Sequence, residues 1–154
     1  MGEAGPLAEK SEPVVLRDAS PGDMPFIMKH LEKFLLDDED LDFRQFIVAA
    51  EKDQIVGFGR IRTHREVYEL GSIGVVESRR SRGIGKLIIE RLIEIFPTDD
   101  VYLVTDIPGY FERFGFRVIR EAPGELVEKI RRICAAKCRA EGVVMHLKRS
   151  ERRA

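Results

Sequence analysis

YELGSIGVVESRRSRGIGKLII, from Tyr68 to Ile89, runs from a strand through a turn into a helix. YELGSIGVV is apolar on both faces of an extended chain, as a strand in the middle of a sheet is. IGKLIIERLIEIF, Ile84 to Phe96, repeats its apolar residues at helical spacing and stops at Pro97, which cannot continue a helix. Between the two, Arg80, Ser81, Arg82 and Lys86 crowd Gly83 and Gly85. The first N–H groups of a helix have no internal partner and carry partial positive charge. Glycine lets the backbone approach a ligand and adopt positive φ. Amides, glycines and cations at one point describe a cradle for an anion such as a phosphate. An ordinary strand-to-helix turn with solvated arginines is the other reading of the same residues.

Outward from this stretch, strands and helices nearly alternate. PVVLRDA predicts a first strand, and Asp23 a cap for a helix running to about Leu36, with Ile27, Leu31 and Phe34 or Leu35 on one face. FRQFIVAAEKDQIVGFGRIR predicts two strands joined at EKDQ, and THRE the turn before the central strand. VYLVT, FRVIR and VVMHLK predict further strands. DIPGYFERF reads as a short helix closed by Gly115, and a longer helix is expected from Pro123 and Gly124 to about Ala140. Such a mixture points to an α/β chain with a mixed central sheet and helices on both faces.

The 154 residues suit one domain large enough for a core, expected to span 13–149 between a disordered lead-in, 1–12, and a charged tail, 150–154. A net charge of -1 argues against a general nucleic-acid binder. No apolar run is long enough to span a bilayer and the lead-in lacks a signal core, so a cytoplasmic protein without membrane contact is expected. Cys134 and Cys138 share a helix face but lack the further ligands a metal site needs, so no metal is expected. His30, His64 and His146 read as structural.

Two phosphate-binding motifs fail here. The nucleotide-triphosphatase loop needs Ser or Thr after its Lys, and Lys86 is followed by Leu87. The dinucleotide fingerprint needs a third glycine where Ile88 stands. The pattern present is R-x-x-G-x-G: Arg80, Gly83, Gly85. It resembles the acetyl-coenzyme A pyrophosphate motif of the GNAT acetyltransferases. VLRDASPGDMPFI, QIVGFGRIR and YFERFGF resemble that superfamily's first strand and helix entry, its third strand, and the signature beside the coenzyme's thiol end. The resemblance covers nearly the whole chain. It implies a mostly antiparallel sheet of about six to seven strands with helices on both faces.

By the same resemblance the chain is an N-acetyltransferase using acetyl-CoA as co-substrate and a primary amine as acceptor. Arg80 to Lys86, Ile84 included, would hold the pyrophosphate. Backbone groups at Val75 and Val76, beside a strand bulge, would pair with the pantetheine arm and hold the oxyanion. Glu69 stands where a number of members carry a catalytic base; absent a bulge, alternation puts it on a face with Gly71 and Ile73, and partial burial would raise its pKa. The other reading leaves it near the strand start, exposed or paired with an arginine such as Arg62. The family's thiol-protonating tyrosine position holds Phe111, and Tyr110 stands one residue earlier; it is kept as a candidate acid, with packing or coenzyme contact favoured.

The acidic run DDEDLD reads as a solvated loop, or as an acceptor wall favouring a cationic amine. The last third resembles the stand-alone N-acetylglutamate synthase-like branch, which implies glutamate as acceptor. Gly71 replaces that branch's usual arginine, leaving Arg60, Arg62 or Arg65 to hold a carboxylate. A homodimer through C-terminal edge strands is a further expectation. The alternative function is a non-catalytic acyl-CoA-binding or sensing module of the same fold.

Overall fold

The computed structural model describes residues 13–137 and 142–152, side chains 134–137 excepted. The lead-in, Cys138 and the Cys134 side chain lie outside the described residues. One sheet of seven strands runs through the molecule in the order β1-β2-β3-β4-β5-β7-β6. The strands are β1 (Val14–Asp18), β2 (Phe46–Glu51), β3 (Gln54–Thr63), β4 (Tyr68–Val75), β5 (Asp100–Thr105), β6 (Arg117–Val118) and β7 (Val143–Lys148). Every neighbouring pair is antiparallel except β4 and β5. The helices are α1 (Met24–Lys33), α2 (Ile84–Ile95), α3 (Pro108–Glu112), α4 (Gly124–Lys137) and α5 (Arg149–Arg152). Among the described residues no helix is long and apolar enough to cross a membrane.

The helices take opposite faces of the sheet because their apolar stripes do. Ile84, Ile88, Ile89, Leu92 and Ile93 of α2 pack on Ile47, Leu70, Val101 and Leu103. Ile27 and Leu31 of α1 pack on Phe46, Val48 and Phe58 across the sheet. At Gly59 of β3 an added Cβ would stand 2.9 Å from Ile88 Cγ2, so that glycine sets how closely α2 sits. Truncating Ile88 to Ala would cost about 2–5 kcal/mol through lost contact and a residual cavity.

The two ends of α1 differ from the sequence expectation. Ser20 leads into the helix: its N–H donates to Asp23 Oδ2 at 2.7 Å, and Arg17 also holds that carboxylate at 2.8 Å. Asp23 stands at the N-cap position of α1 as expected, but its side chain makes no cap bond to that helix and instead completes a capping box over the preceding turn, Pro21–Asp23. Arg17's hydrogen bonds outweigh burial and lower the Asp23 pKa to about 2. At the other end the helix stops at Lys33. Leu35 takes φ 56, and the N–H groups of Leu35 and Leu36 donate to the Glu32 and Leu31 carbonyls at 3.2 and 2.8 Å. This is a Schellman closure made without glycine, and it delivers Leu36 and Asp37 to the middle of the molecule.

β4 carries the feature that shapes the site. Phe58 of β3 faces Gly74, but Arg60 faces Gly71, so Ser72 and Ile73 together oppose one residue. Ser72 adopts φ 51. The bulge thus lies at Ser72, earlier than the expected Val75–Val76, and it changes the parity of the strand. Glu69 and Ser72 now share the α1 face, whereas Leu70 and Ile73 pack on the α2 face. The expected shared face of Glu69 and Ile73 is corrected accordingly.

β6 is shorter than FRVIR, since its ladder ends at Val118. Beyond β7 the chain docks instead of trailing: Arg149 Nη1 donates to the Phe96 carbonyl at 2.6 Å and Arg152 Nε to that of Phe114 at 3.0 Å.

Candidate active site

β4 and β5 pair only at Glu69 with Tyr102 and Leu70 with Leu103. Past these pairs the bulge at Ser72 turns β4 away, and the parallel strands part like a wedge. A cavity of about 180 Å³ lies in the opening. Its walls are largely apolar, with Leu36, Ile73, Ile107, Phe111, Ile130 and Ile133; Glu69, Asp37, Asp106 and Lys129 form its charged part. Val76 N–H donates to the Val56 carbonyl at 2.9 Å and is committed to the β3 ladder. Val75, opposite Gly57, then occupies a non-hydrogen-bonded pair and turns its N–H toward the wedge, while its carbonyl accepts from Arg80 Nε.

Six ionisable side chains meet on the α1 face of β4. Lys129 of α4 pairs with Glu69 and stands 2.8 Å from Asp37 Oδ2. Arg62 Nη1 reaches the same Asp37 oxygen at 2.8 Å, and Arg60 Nη2 reaches it at 3.3 Å. His64 Nε2 lies 2.8 Å from Glu69 Oε1. Ser72 Oγ accepts from Arg60 Nε at 3.0 Å and donates to the Asp37 carbonyl at 2.9 Å, so the bulge is tied into the cluster. Burying charges is costly unless each finds a partner. Here the carboxylates have them, while Arg62 Nε is buried without one.

Burial pushes the Glu69 carboxyl up, but the Lys129 charge and the His64 hydrogen bond outweigh it, and the group titrates below its ordinary range. This reverses the expectation that burial would raise it. Burial likewise opposes the Asp37 charge, and Lys129 and Arg60 outweigh it, holding Asp37 well below the usual carboxylate range.

The acidic run is therefore solvated only in part, with Asp38 and Asp40 exposed. Asp37 is buried, Glu39 and Asp40 hold Arg62 at 3.0 and 2.9 Å, and Glu39 also binds Arg132. The same contacts commit Arg60 and Arg62, which the sequence had offered as carboxylate holders.

The cradle residues sit at the mouth of the wedge. Gly83 takes φ 82 immediately before α2 and Ser81 φ 68, so two left-handed residues fold the loop around the helix entrance. The first intrahelical bond runs from Leu87 N–H to the Gly83 carbonyl at 3.1 Å. The N–H groups of Ile84, Gly85 and Lys86 precede it and have no partner within the helix. Ile84 buries its side chain in the core, so only its backbone is offered to a ligand. Arg82 and Lys86 are exposed. Arg80 instead folds back: its Nε donates to the Val75 carbonyl at 2.9 Å and its guanidinium lies 4.7 Å over the Phe34 ring.

Tyr110 stands away from the charged cluster. Its hydroxyl lies 3.5 Å from where a Cβ on Gly85 would be, and Arg113 covers its ring at 4.6 Å. Phe111 lines the cavity in its place. The one-residue offset seen in the sequence thus turns the tyrosine toward the helix entrance.

Two site residues escaped the sequence reading, and a third, Asp37, entered it only within an acidic run that had two readings. Lys129 interrupts an apolar stripe with Leu126, Ile130 and Ile133, and a lysine on the buried side of a helix was the available signal. Closing the THRE hairpin brings His64 back over Glu69, with His64 N–H donating to the Val67 carbonyl at 2.9 Å. Asp37 required the turn at Leu35, which no local motif announces.

Comparison with known proteins agrees with this geometry. Solved structures of the same fold include N-acetylglutamate synthase of Neisseria gonorrhoeae, complexed with coenzyme A and N-acetyl-glutamate. It is 17% identical with a TM-score of 0.73, over 90% of this chain and 36% of that one. A Mycobacterium tuberculosis protein in complex with CoA is 20% identical with a TM-score of 0.67, over 87% and 98%. Escherichia coli ElaA is 17% identical with a TM-score of 0.64, over 88% and 99%. An uncharacterized N-acetyltransferase of Chlorobaculum tepidum is 30% identical over 82 residues, 51% of this chain. The chain thus matches 53% of the length of that curated relative. The acetyltransferase (GNAT) family model matches residues 15–116, which include Glu69, the bulge, the cradle and Tyr110. With its wedge between two parallel strands and R-x-x-G-x-G at the helix entrance, the chain belongs to the acetyltransferase (GNAT) family.

Proposed function

We propose that the protein is an acetyl-CoA-dependent N-acetyltransferase that passes the acetyl group to a small primary amine by direct attack. The observation that carries this reading is the wedge: a backbone-lined opening that runs from the α2 entrance to a cavity holding a carboxylate. Arg82, Lys86 and the amides of Gly83 to Lys86 would hold the pyrophosphate, and Val75 would pair with the pantetheine arm. The N–H of Ile73, just past the bulge, is our candidate for the oxyanion donor.

In this scheme the neutral amine attacks the thioester carbon, the N–C bond forms, and the C–S bond breaks as the thiolate leaves. Glu69 takes the proton from nitrogen. A carboxylate held this acidic is a poor match for a free ammonium. The nitrogen of the tetrahedral adduct is far more acidic, so we place the transfer there. Tyr110 contacts the coenzyme end of the site, and the thiolate takes its proton from solvent.

Glutamate is the first acceptor to test, because the sequence of the last third resembles the glutamate-acetylating branch and a structural neighbour holds N-acetyl-glutamate. The apolar walls favour a second reading, an amine with an uncharged apolar body, since Arg60 and Arg62 are already committed. A homodimer through the C-terminal edge strand, β6, is retained as a proposal.

Calorimetric titration with acetyl-CoA, followed by thiol release with a panel of amines, tests the scheme. Stoichiometric binding and turnover with one amine class support it. Binding without turnover on any amine leaves the acyl-CoA-binding module, and absence of binding removes both.

A further inference from the structure

We infer that His64 carries the proton of Glu69 out to solvent on the side away from the acceptor cavity. The inference rests on Glu69 serving as the base. Glu69 is 1% exposed, so it cannot exchange protons with bulk water directly. Its two oxygens face different neighbours. Oε2 meets Lys129 at the cavity, and Oε1 lies 2.8 Å from His64 Nε2.

His64 does not line the cavity. It lines a separate open pocket of about 660 Å³, together with Asp40, Arg62, Arg65, Glu125, Glu128 and Arg132. Glu69 is absent from that second lining. The Glu69–His64 pair therefore lies between a mostly apolar cavity and an open, charged pocket, toward which the His64 side chain keeps 7% of its surface exposed. Three acids and three guanidinium groups line the pocket around His64. The turn bearing His64 is held in place: Glu125 accepts from the N–H groups of Arg65 and Glu66, each at 2.9 Å.

The transfer balances as follows. Glu69 carrying the acceptor's proton is a donor, which matches the His64 tautomer with its hydrogen on Nδ1. Nε2 accepts the Glu69 proton, the ring releases its Nδ1 proton to water in the open pocket, and Glu69 is left ionised. The tautomer resets as the ring turns out into the open pocket, gives its Nε2 proton to water, takes another on Nδ1 and returns to Glu69. A weakly basic carboxylate gains from this arrangement, because rapid onward transfer stops the proton from returning to the adduct. His64 acts on the substrate only through Glu69, so it is a positioning and relay residue.

Two variants separate relay from scaffold. His64→Gln keeps an N–H at the Nε2 position but cannot pass a proton on, and His64→Ala opens a space that imidazole can enter from the open pocket. The expected result is a kcat at least about tenfold lower in both, an unchanged KM for acetyl-CoA, and recovery of His64→Ala with added imidazole. If His64→Ala does not fold, His64→Gln decides alone. Wild-type kcat in His64→Gln, or a folded His64→Ala that ignores imidazole, overturns the relay. If that happens while Glu69→Gln is inactive, the base reading stands. If Glu69→Gln keeps full turnover, the base and the relay fall together.

Discussion

Lys129 of α4 and Glu69 of β4 form an ion pair inside the cavity, and Asp37 shares the same ammonium from the end of α1. One cation thereby joins three separate elements at the proposed reaction centre. An acceptor ammonium entering this cavity meets carboxylates that already have a cation, so Lys129 sets the electrostatic level against which any substrate competes.

Replacing Lys129 with Met leaves the Glu69 and Asp37 carboxylates buried without their ammonium. Removing one partner of a buried pair costs about 3–5 kcal/mol. Both folded pKa values lie below their unfolded ones, so these groups add stability above the ordinary carboxylate range. That stability is lost as pH falls through the folded values. Urea unfolding should show the full gap between Lys129→Met and wild type near neutrality, and the gap should narrow below about pH 4. A gap that stays constant across this range would show that the pairs are not its source.

Glu69→Gln preserves shape and removes the proton acceptor. We expect kcat to fall about 10²–10⁴-fold with acetyl-CoA affinity within about twofold of wild type, since distant sites act independently. Thiol release and calorimetry on the same preparation give both numbers. Full turnover in the variant ends the case for Glu69 as base.

Because Glu69 is ionised throughout the neutral range, its protonation does not set the acid limb of the rate profile. The limb of kcat/KM belongs to the acceptor amine, and activity rises with pH toward that amine's own pKa. Two acceptors of different basicity should give limbs displaced by the difference between them. Coincident limbs would point to a titrating group on the enzyme instead.

The cradle is tested by coenzyme affinity. Arg82→Ala and Lys86→Ala should each weaken acetyl-CoA about tenfold, the scale of one charge-assisted hydrogen bond. The loss should be the same for 3′-dephospho-CoA if the contact is with the pyrophosphate. A loss confined to the intact coenzyme would move the contact to the 3′-phosphate. Arg80→Ala differs in kind, because it frees the Val75 carbonyl and the Phe34 face and should lower the melting temperature as well.

Tyr110→Phe should leave kcat within about threefold, well short of the loss for a general acid. The effect should fall on acetyl-CoA binding, as expected for a hydroxyl beside Gly85. A drop in kcat approaching that of Glu69→Gln would return Tyr110 to the role of acid.

The segments that the sequence revealed are those whose structure is locally coded. The α2 stripe, the stop at Pro97, the EKDQ hairpin and the R-x-x-G-x-G loop all rest on neighbours in sequence, and each lies where its pattern places it. What stayed hidden depends on backbone events without a local signature. Ser72 and Leu35 adopt positive φ although neither is glycine, so the bulge and the α1 closure could not be read from composition. The consequence spread from there. With the parity of β4 unknown, Glu69 was given the wrong companion in Ile73. With the turn after α1 unknown, the acidic run keeps both readings, a solvated loop and an acceptor wall. The arginines opposite, Arg60 and Arg62, then seemed free for a ligand.

The extra residue in β4 also makes the proposed chemistry a matter of chain length. Substituting Ser72 would alter two hydrogen bonds, but deleting it would restore a regular ladder and rotate one half of the strand by a half turn. Either Glu69 would enter the apolar layer under α2, or Ile73 would leave it. In this strand, single-residue gaps and insertions should be far less tolerated than changes of side chain.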